Sequence, residues 1–239
     1  MYNENMISNI KIEICIGNID DAILSDKYPI DRIELNSALE LGGLSPSLET
    51  LKYLKEHISK KICCMVRPRG GDFFYTETEY QTMLKDAKNF LDAGADGIVF
   101  GFLKKDNTVD VERTKVMTEL IHSYGKEAVF HKAFDETLNL EQACQDLTRC
   151  HIDRVLTSGG EDSDNILKGC EKIHTLYEKF GNDLQFLPGG GVRIENIRDV
   201  ISTAGSGQVH MTSKKKNNGG YLCLDEDQLK EMLAQISAL

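Results

Sequence analysis

Two arginines, Arg67 and Arg69, close the apolar run Lys61-Ile-Cys-Cys-Met-Val66, with Gly70, Gly71 and Asp72 directly behind them. A guanidinium is a planar fork that grips carboxylate or phosphate at two points, so this strand end suits an anion. Other short apolar runs carry ionisable groups too. Glu13 and Cys15 alternate with isoleucines, Glu34 and Asn36 flank Leu35, and His131 follows Val129-Phe130. Thr157 and His210 stand near the ends of two more. In a strand, residues i and i+2 share a face. Glu13 therefore points with Cys15, Glu34 with Asn36, and Met65 with Arg67.

If these faces converge, one site gathers two carboxylates, an arginine, two imidazoles and a thiol. Glu13, Glu34 and His131 are the candidates for acid–base work. Arg67, Thr157 and His210 are candidates for holding an anion. Cys15 is the only cysteine at such a strand end. Gly189, Gly190 and Gly191 follow Pro188 and lead toward a helix, where bare amides can bind an anion. Bland alternatives use the same residues. A buried Glu–Arg network can serve the fold alone, glycines serve turns, and a lone cysteine packs as a small apolar residue.

The elements that must position these groups recur at intervals of about 20–36 residues. The expected strands are Lys11–Ile16, Asp31–Asn36, Lys61–Arg67, Gly97–Gly101, Ala128–Ala133, Arg154–Ser158, Leu184–Pro188 and Gly207–Thr212. Amphipathic segments with caps lie between most of them. Thr76-Glu-Thr-Glu79 reads as a capping box, Ser45-Pro46 as an N-cap and first helical residue, and Asp110, Asn139 and Asp225 as further starts. The connection 18–30 is short and polar and carries no clear helix. Strict alternation implies parallel strands with right-handed crossovers, and eight units close into a (β/α)8 barrel. Residues 1–239 are expected to form this one α/β domain, with chemistry at the carboxyl ends of the strands.

Composition narrows the function. The net charge is −10, from 28 basic and 38 acidic residues, so nucleic acid is not an expected partner. The short run Lys214-Lys215-Lys216 reads as a solvated loop. No stretch approaches the roughly 20 apolar residues of a membrane span. The first residues lack the basic and apolar blocks of a secretory leader, so a cytoplasmic location is expected. Seven cysteines without a C-x-x-C do not suggest a disulfide framework.

Nine segments, taken in order, resemble the CutC family of copper homeostasis proteins. They are Ile12-Glu-Ile-Cys15, Asp31-Arg-Ile-Glu-Leu35, Gly42-Gly-Leu-Ser-Pro46, Val66-Arg-Pro-Arg-Gly-Gly-Asp-Phe73, Asp96-Gly-Ile-Val99, Phe130-His-Lys-Ala-Phe-Asp135, Leu156-Thr-Ser-Gly-Gly160, Gly189-Gly-Gly-Val192 and His210. The resemblance spans residues 11–213 and implies a TIM-type barrel, a cytoplasmic homo-oligomer and copper handling by Cu(I) binding. The family's proposed ligands are two cysteines. The first falls on Cys15 and the second on Asn36, so this chain departs there. Lys132 likewise stands where the family commonly has arginine. Met65, His131 and His210 are conceivable helpers for a soft metal. The residues themselves support a second reading, an enzyme acting on a small anionic or phosphorylated metabolite, and a third, an oligomeric scaffold.

Overall fold

The computed structural model describes residues 10–239. Eight parallel strands form one sheet: β1 (Lys11–Ile16), β2 (Arg32–Leu35), β3 (Lys61–Met65), β4 (Gly97–Phe100), β5 (Glu127–Phe130), β6 (Arg154–Thr157), β7 (Gln185–Pro188) and β8 (Gln208–Met211). They pair in the order β7-β6-β5-β4-β3-β2-β1-β8. The two ends of this ladder meet, where the Gln208 side-chain amide donates to Gln185 Oε1 at 3.1 Å. The sheet is thus a nearly closed (β/α)8 barrel, as alternation requires.

The helices are α1 (Ile19–Ser25), α2 (Leu48–His57), α3 (Glu77–Asp92), α4 (Val111–Ser123), α5 (Leu140–Arg149), α6 (Ile166–Phe180), α7 (Ile197–Ala204) and α8 (Glu226–Ser237). Their starts follow the local chemistry. Thr76 and Glu79 form the reciprocal capping box on α3. Asp110, Asn139 and Asp225 each accept a first-turn N–H of their helix. Four expectations need correction. The polar connection 18–30 does hold a helix, because the Asn18 side chain caps Asp21 N–H. Ser47, not Ser45, caps α2. Helix α7 begins only at Ile197, so the glycine run does not lead straight into it. Lys214–Lys216 is not a loop but β9, an exposed strand paired antiparallel with β10 (Leu222–Leu224).

Strand alternation divides the interior into two regions of different character. Residues such as Ile12, Ile14, Ile33, Cys64, Phe100 and Phe186 face the helices and join the main apolar core. Each such side chain contributes roughly 1.5–3 kcal/mol on burial. Inside the barrel the apolar cluster is small: Cys63, Met65, Val99 and Val129. Buried around it are polar groups, among them Glu13, Arg32, Glu34, Asn36, Arg154, Gln208 and His210. A barrel lumen filled by charges has to satisfy them from within, and that requirement shapes the site.

Candidate metal centre at the barrel mouth

Strands β1, β2 and β8 run side by side, with Glu13 opposite Arg32 and His210, and Cys15 opposite Glu34. This register brings together a thiol, a carboxylate and an imidazole. One ligand atom each from Cys15, Glu34 and His210 lies within 4.8 Å of the others. Glu13 sits one layer deeper and organises them. Its Oε2 takes Arg32 Nε–H at 2.7 Å, and its Oε1 takes His210 Nδ1–H at 2.8 Å. The second contact fixes the tautomer of His210 and leaves Nε2 facing Glu34 Oε2 at 4.0 Å. A carboxylate behind a histidine is the arrangement that orients metal-binding imidazoles.

The charges settle each other. Burial alone would raise the Glu13 carboxyl, but the His210 hydrogen bond and Arg32 hold it well below the usual carboxylate range. Burial would lower His210, yet Glu34 and Glu13 outweigh it and raise this imidazole. Burial also pushes Glu34 up, with Glu13 adding to the effect against the pull of His210. The Cys15 thiol rises well above its ordinary value through burial and the nearby Glu34. Asn36 ties the group together. Its Nδ2 donates to Glu34 Oε2 at 2.8 Å and to Cys15 Sγ at 3.4 Å. Asn36 Oδ1 presses on Gly43, where any Cβ would come within 2.5 Å and φ is +86°.

Cys15, Glu34, Met65, Arg67, His131 and His210 line one cavity of about 680 Å³ at this mouth. Six expected site residues therefore meet there: Cys15, Glu34, Arg67, His131, Gly190 and His210. Glu13 lies beneath. Arg67 does not face the carboxylates as its strand phase suggests. Its guanidinium donates to the carbonyls of Leu41, Gly43 and Gly71 at 3.0, 3.0 and 3.1 Å. Arg69 stays on the rim, clamped by Glu79 and Asp72.

Thr157 points away from the mouth, because Arg154 and Leu156 take the inward positions of β6. Its hydroxyl donates to Asp135 Oδ1 at 2.5 Å. Asp135 also accepts the N–H groups of Ser158 and Gly160 and pairs with Lys132 at 3.0 Å. That carboxylate shapes the loop 157–161. The triple glycine is explained by close packing. A Cβ on Gly189 would meet Leu156 Cδ1 at 2.7 Å and His210 Cβ at 2.9 Å, and one on Gly191 would meet Ser163 O at 2.2 Å. A Cβ on Gly190 would lie 2.8 Å from Lys132 Nζ.

Two arginines of the network escaped the sequence reading. Arg32 joins Glu13 to Gln208, donating from Nη2 to its Oε1 at 2.8 Å. Arg154, only 1% exposed, pairs with Glu127 at 2.8 Å. The signal for both was available: an arginine opens each of two apolar runs, in phase with the inward Glu34 and Leu156. The buried cysteines lie outside this group. Burial pushes Cys63, Cys144 and Cys170 up to about 12 and Cys150 to about 11.

Fold and site together define a (β/α)8 barrel whose mouth gathers a thiol, an imidazole and a carboxylate over a buried Glu–Arg pair. Residues 10–215 match the model of the CutC family, and the chain belongs to that family. A CutC family protein of Treponema denticola is 44% identical over 210 residues, covering 88% of this chain and 84% of that one. A Homo sapiens copper homeostasis protein cutC homolog is 32% identical over 209 residues, covering 87% and 75%. The crystal structure of a putative copper homeostasis protein CutC from Streptococcus agalactiae superposes with a TM-score of 0.78. It is 30% identical, over 84% of this chain and 97% of that one.

Proposed function

We propose that this CutC family member takes part in copper homeostasis by binding Cu(I) at the mouth triad, with Cys15 as the anchoring ligand. The observation that carries the reading is the convergence of Cys15 Sγ, His210 Nε2 and a Glu34 oxygen within 4.8 Å. The donor set fits a soft ion in two of its three members. Thiolate and imidazole both suit copper, whereas carboxylate is a harder ligand. Asn36 occupies the position of the family's second cysteine, and an amide does not replace a thiolate. His210, aimed by Glu13, supplies the second good donor in its place. Glu34, next to the thiol, is placed to receive the proton that Cys15 gives up on binding. Met65, in the same cavity wall, adds a thioether within the pocket.

The test is a titration of reduced protein with Cu(I) against a competing chelator. Wild type is expected to withdraw one equivalent from the chelator. Cys15→Ser is expected to lose this capacity, and His210→Ala to weaken it at least tenfold. Equal competition by wild type and Cys15→Ser removes the site.

A cytoplasmic location and a homo-oligomeric state belong to the same proposal. They are supported by family membership, and no helix among the described residues is long and apolar enough to cross a membrane. Light scattering checks the second point: a mass that is a multiple of 26.8 kDa is expected.

A further inference from the structure

The mouth cavity has a second wall that the metal triad does not use. It is built from the ends of β3 and β5 and carries Arg67, Phe73 and His131. His131 is 3% exposed. Its Nδ1 accepts the Ala133 N–H at 3.1 Å, so the ring proton sits on Nε2. The Nδ1–Cε1 edge lies against Gly101, where a Cβ would stand 2.5 and 2.6 Å from those ring atoms. His131 lines the cavity, and its buried Nε2–H has no partner. Arg67 is 7% exposed and repeats the pattern. Three loop carbonyls take its terminal nitrogens, while Nε–H has no acceptor in bonding geometry, and the Tyr75 hydroxyl beside the guanidinium is unpartnered too.

A buried donor without an acceptor is destabilising, more so when charged. Here two such donors flank one apolar ring. Phe73 lies 4.8 Å from the His131 ring and 5.1 Å from the Arg67 guanidinium carbon. Among the acids that line the cavity, Asp135 is committed to Lys132 and the 158–160 loop, Glu161 to Lys168 and Lys172, and Glu34 to the triad. A volume of about 680 Å³ falls in the range of small-molecule sites.

We infer that this wall binds the carboxylate of a small, partly apolar carboxylic acid. His131 Nε2–H and Arg67 Nε–H take its oxygens, and its body rests on Phe73 with Leu156 and Met65 nearby. The cation of Arg67 selects an anion over a neutral carbonyl. Phosphate fits less well, because two single donors on one wall match the two oxygens of a planar carboxylate. The subsite uses donors outside the metal triad and stands whether or not the triad holds copper.

The experiment uses the full chain, reduced and free of metal, at constant ionic strength. Isobutyrate is the probe, with isobutyramide and inorganic phosphate as comparisons. Binding is followed by calorimetry and by the His131 Nε2–H resonance. Isobutyrate is expected to shift that resonance and to bind at least tenfold more tightly than either comparison. His131→Asn keeps an oxygen for the Ala133 N–H and is expected to bind isobutyrate about tenfold more weakly, a loss of about 1.4 kcal/mol. Should His131→Asn fail to fold, the wild-type resonance decides alone. An unmoved resonance, tighter binding of phosphate, or undiminished affinity in a folded His131→Asn overturns the subsite.

Discussion

At the scale of single residues, Glu13 and His131 carry the sharpest consequences. Glu13 holds His210 by Nδ1 and neutralises Arg32, so in the proposed copper site it acts without being a ligand. Partners of this kind typically tune affinity about 10–100-fold. Glu13→Gln is expected to weaken Cu(I) binding by that factor in chelator competition, and unchanged affinity would remove its orienting role. Glu13→Ala leaves Arg32 buried without its carboxylate and is expected to cost about 3–5 kcal/mol in denaturant unfolding. His131 makes a prediction about pH. Burial, with Arg67 beside it, lowers its imidazole from 6.5 to about 3. The unfolded chain therefore binds this proton first as pH falls, and the folded state loses ground between those two values. At pH 5 the loss is about 2 kcal/mol. His131→Asn is expected to show a flatter stability–pH curve across this window, whereas a curve parallel to wild type contradicts the burial argument. The alternation of Glu13 with Cys15 and of Glu34 with Asn36 was legible from sequence, because isoleucines and Leu35 mark the opposite face. Thr157 was not. In Arg154-Val-Leu-Thr157 both faces are buried, so composition does not reveal which one looks inward.

Elements transmit these residue-level demands. The glycine run behind β7 borders the site, and Gly189 packs against His210 of β8 and Leu156 of β6. Gly189→Ala is expected to displace the His210 ring. The crowding should cost about 1–3 kcal/mol in a denaturant melt and lower metal affinity at the same time. A neutral substitution would mean that the glycine serves the turn alone. The capping box of α3 provides the contrast. Thr76→Ala is expected to cost about 1 kcal/mol and to leave Cu(I) affinity unchanged. Caps such as Thr76, Asp110 and Asn139 are local chemistry and could be read directly. The hairpin of β9 and β10 could not. Three consecutive lysines give no alternation, and their pairing with Leu222–Leu224 is fixed by contacts distant in sequence. One is the Leu224 N–H bonded to Asp21 at 2.7 Å.

For the whole molecule, alternation of strands and helices was sufficient to foresee a (β/α)8 barrel. The polar lumen was foreseen only in part. Inward-facing charges at the mouth stand at recognisable strand ends, but the deeper Arg32–Glu13 and Arg154–Glu127 pairs depend on register between strands. That register is what turns a file of strand ends into a thiol, an imidazole and a carboxylate around one point. Copper K-edge X-ray absorption of the reduced, Cu(I)-loaded protein tests this convergence most directly. The triad predicts one sulfur and one imidazole in the first shell. Cys15→Ser should lose the sulfur and His210→Ala the imidazole. A first shell without sulfur, or an identical shell in all three proteins, contradicts a copper site at the barrel mouth.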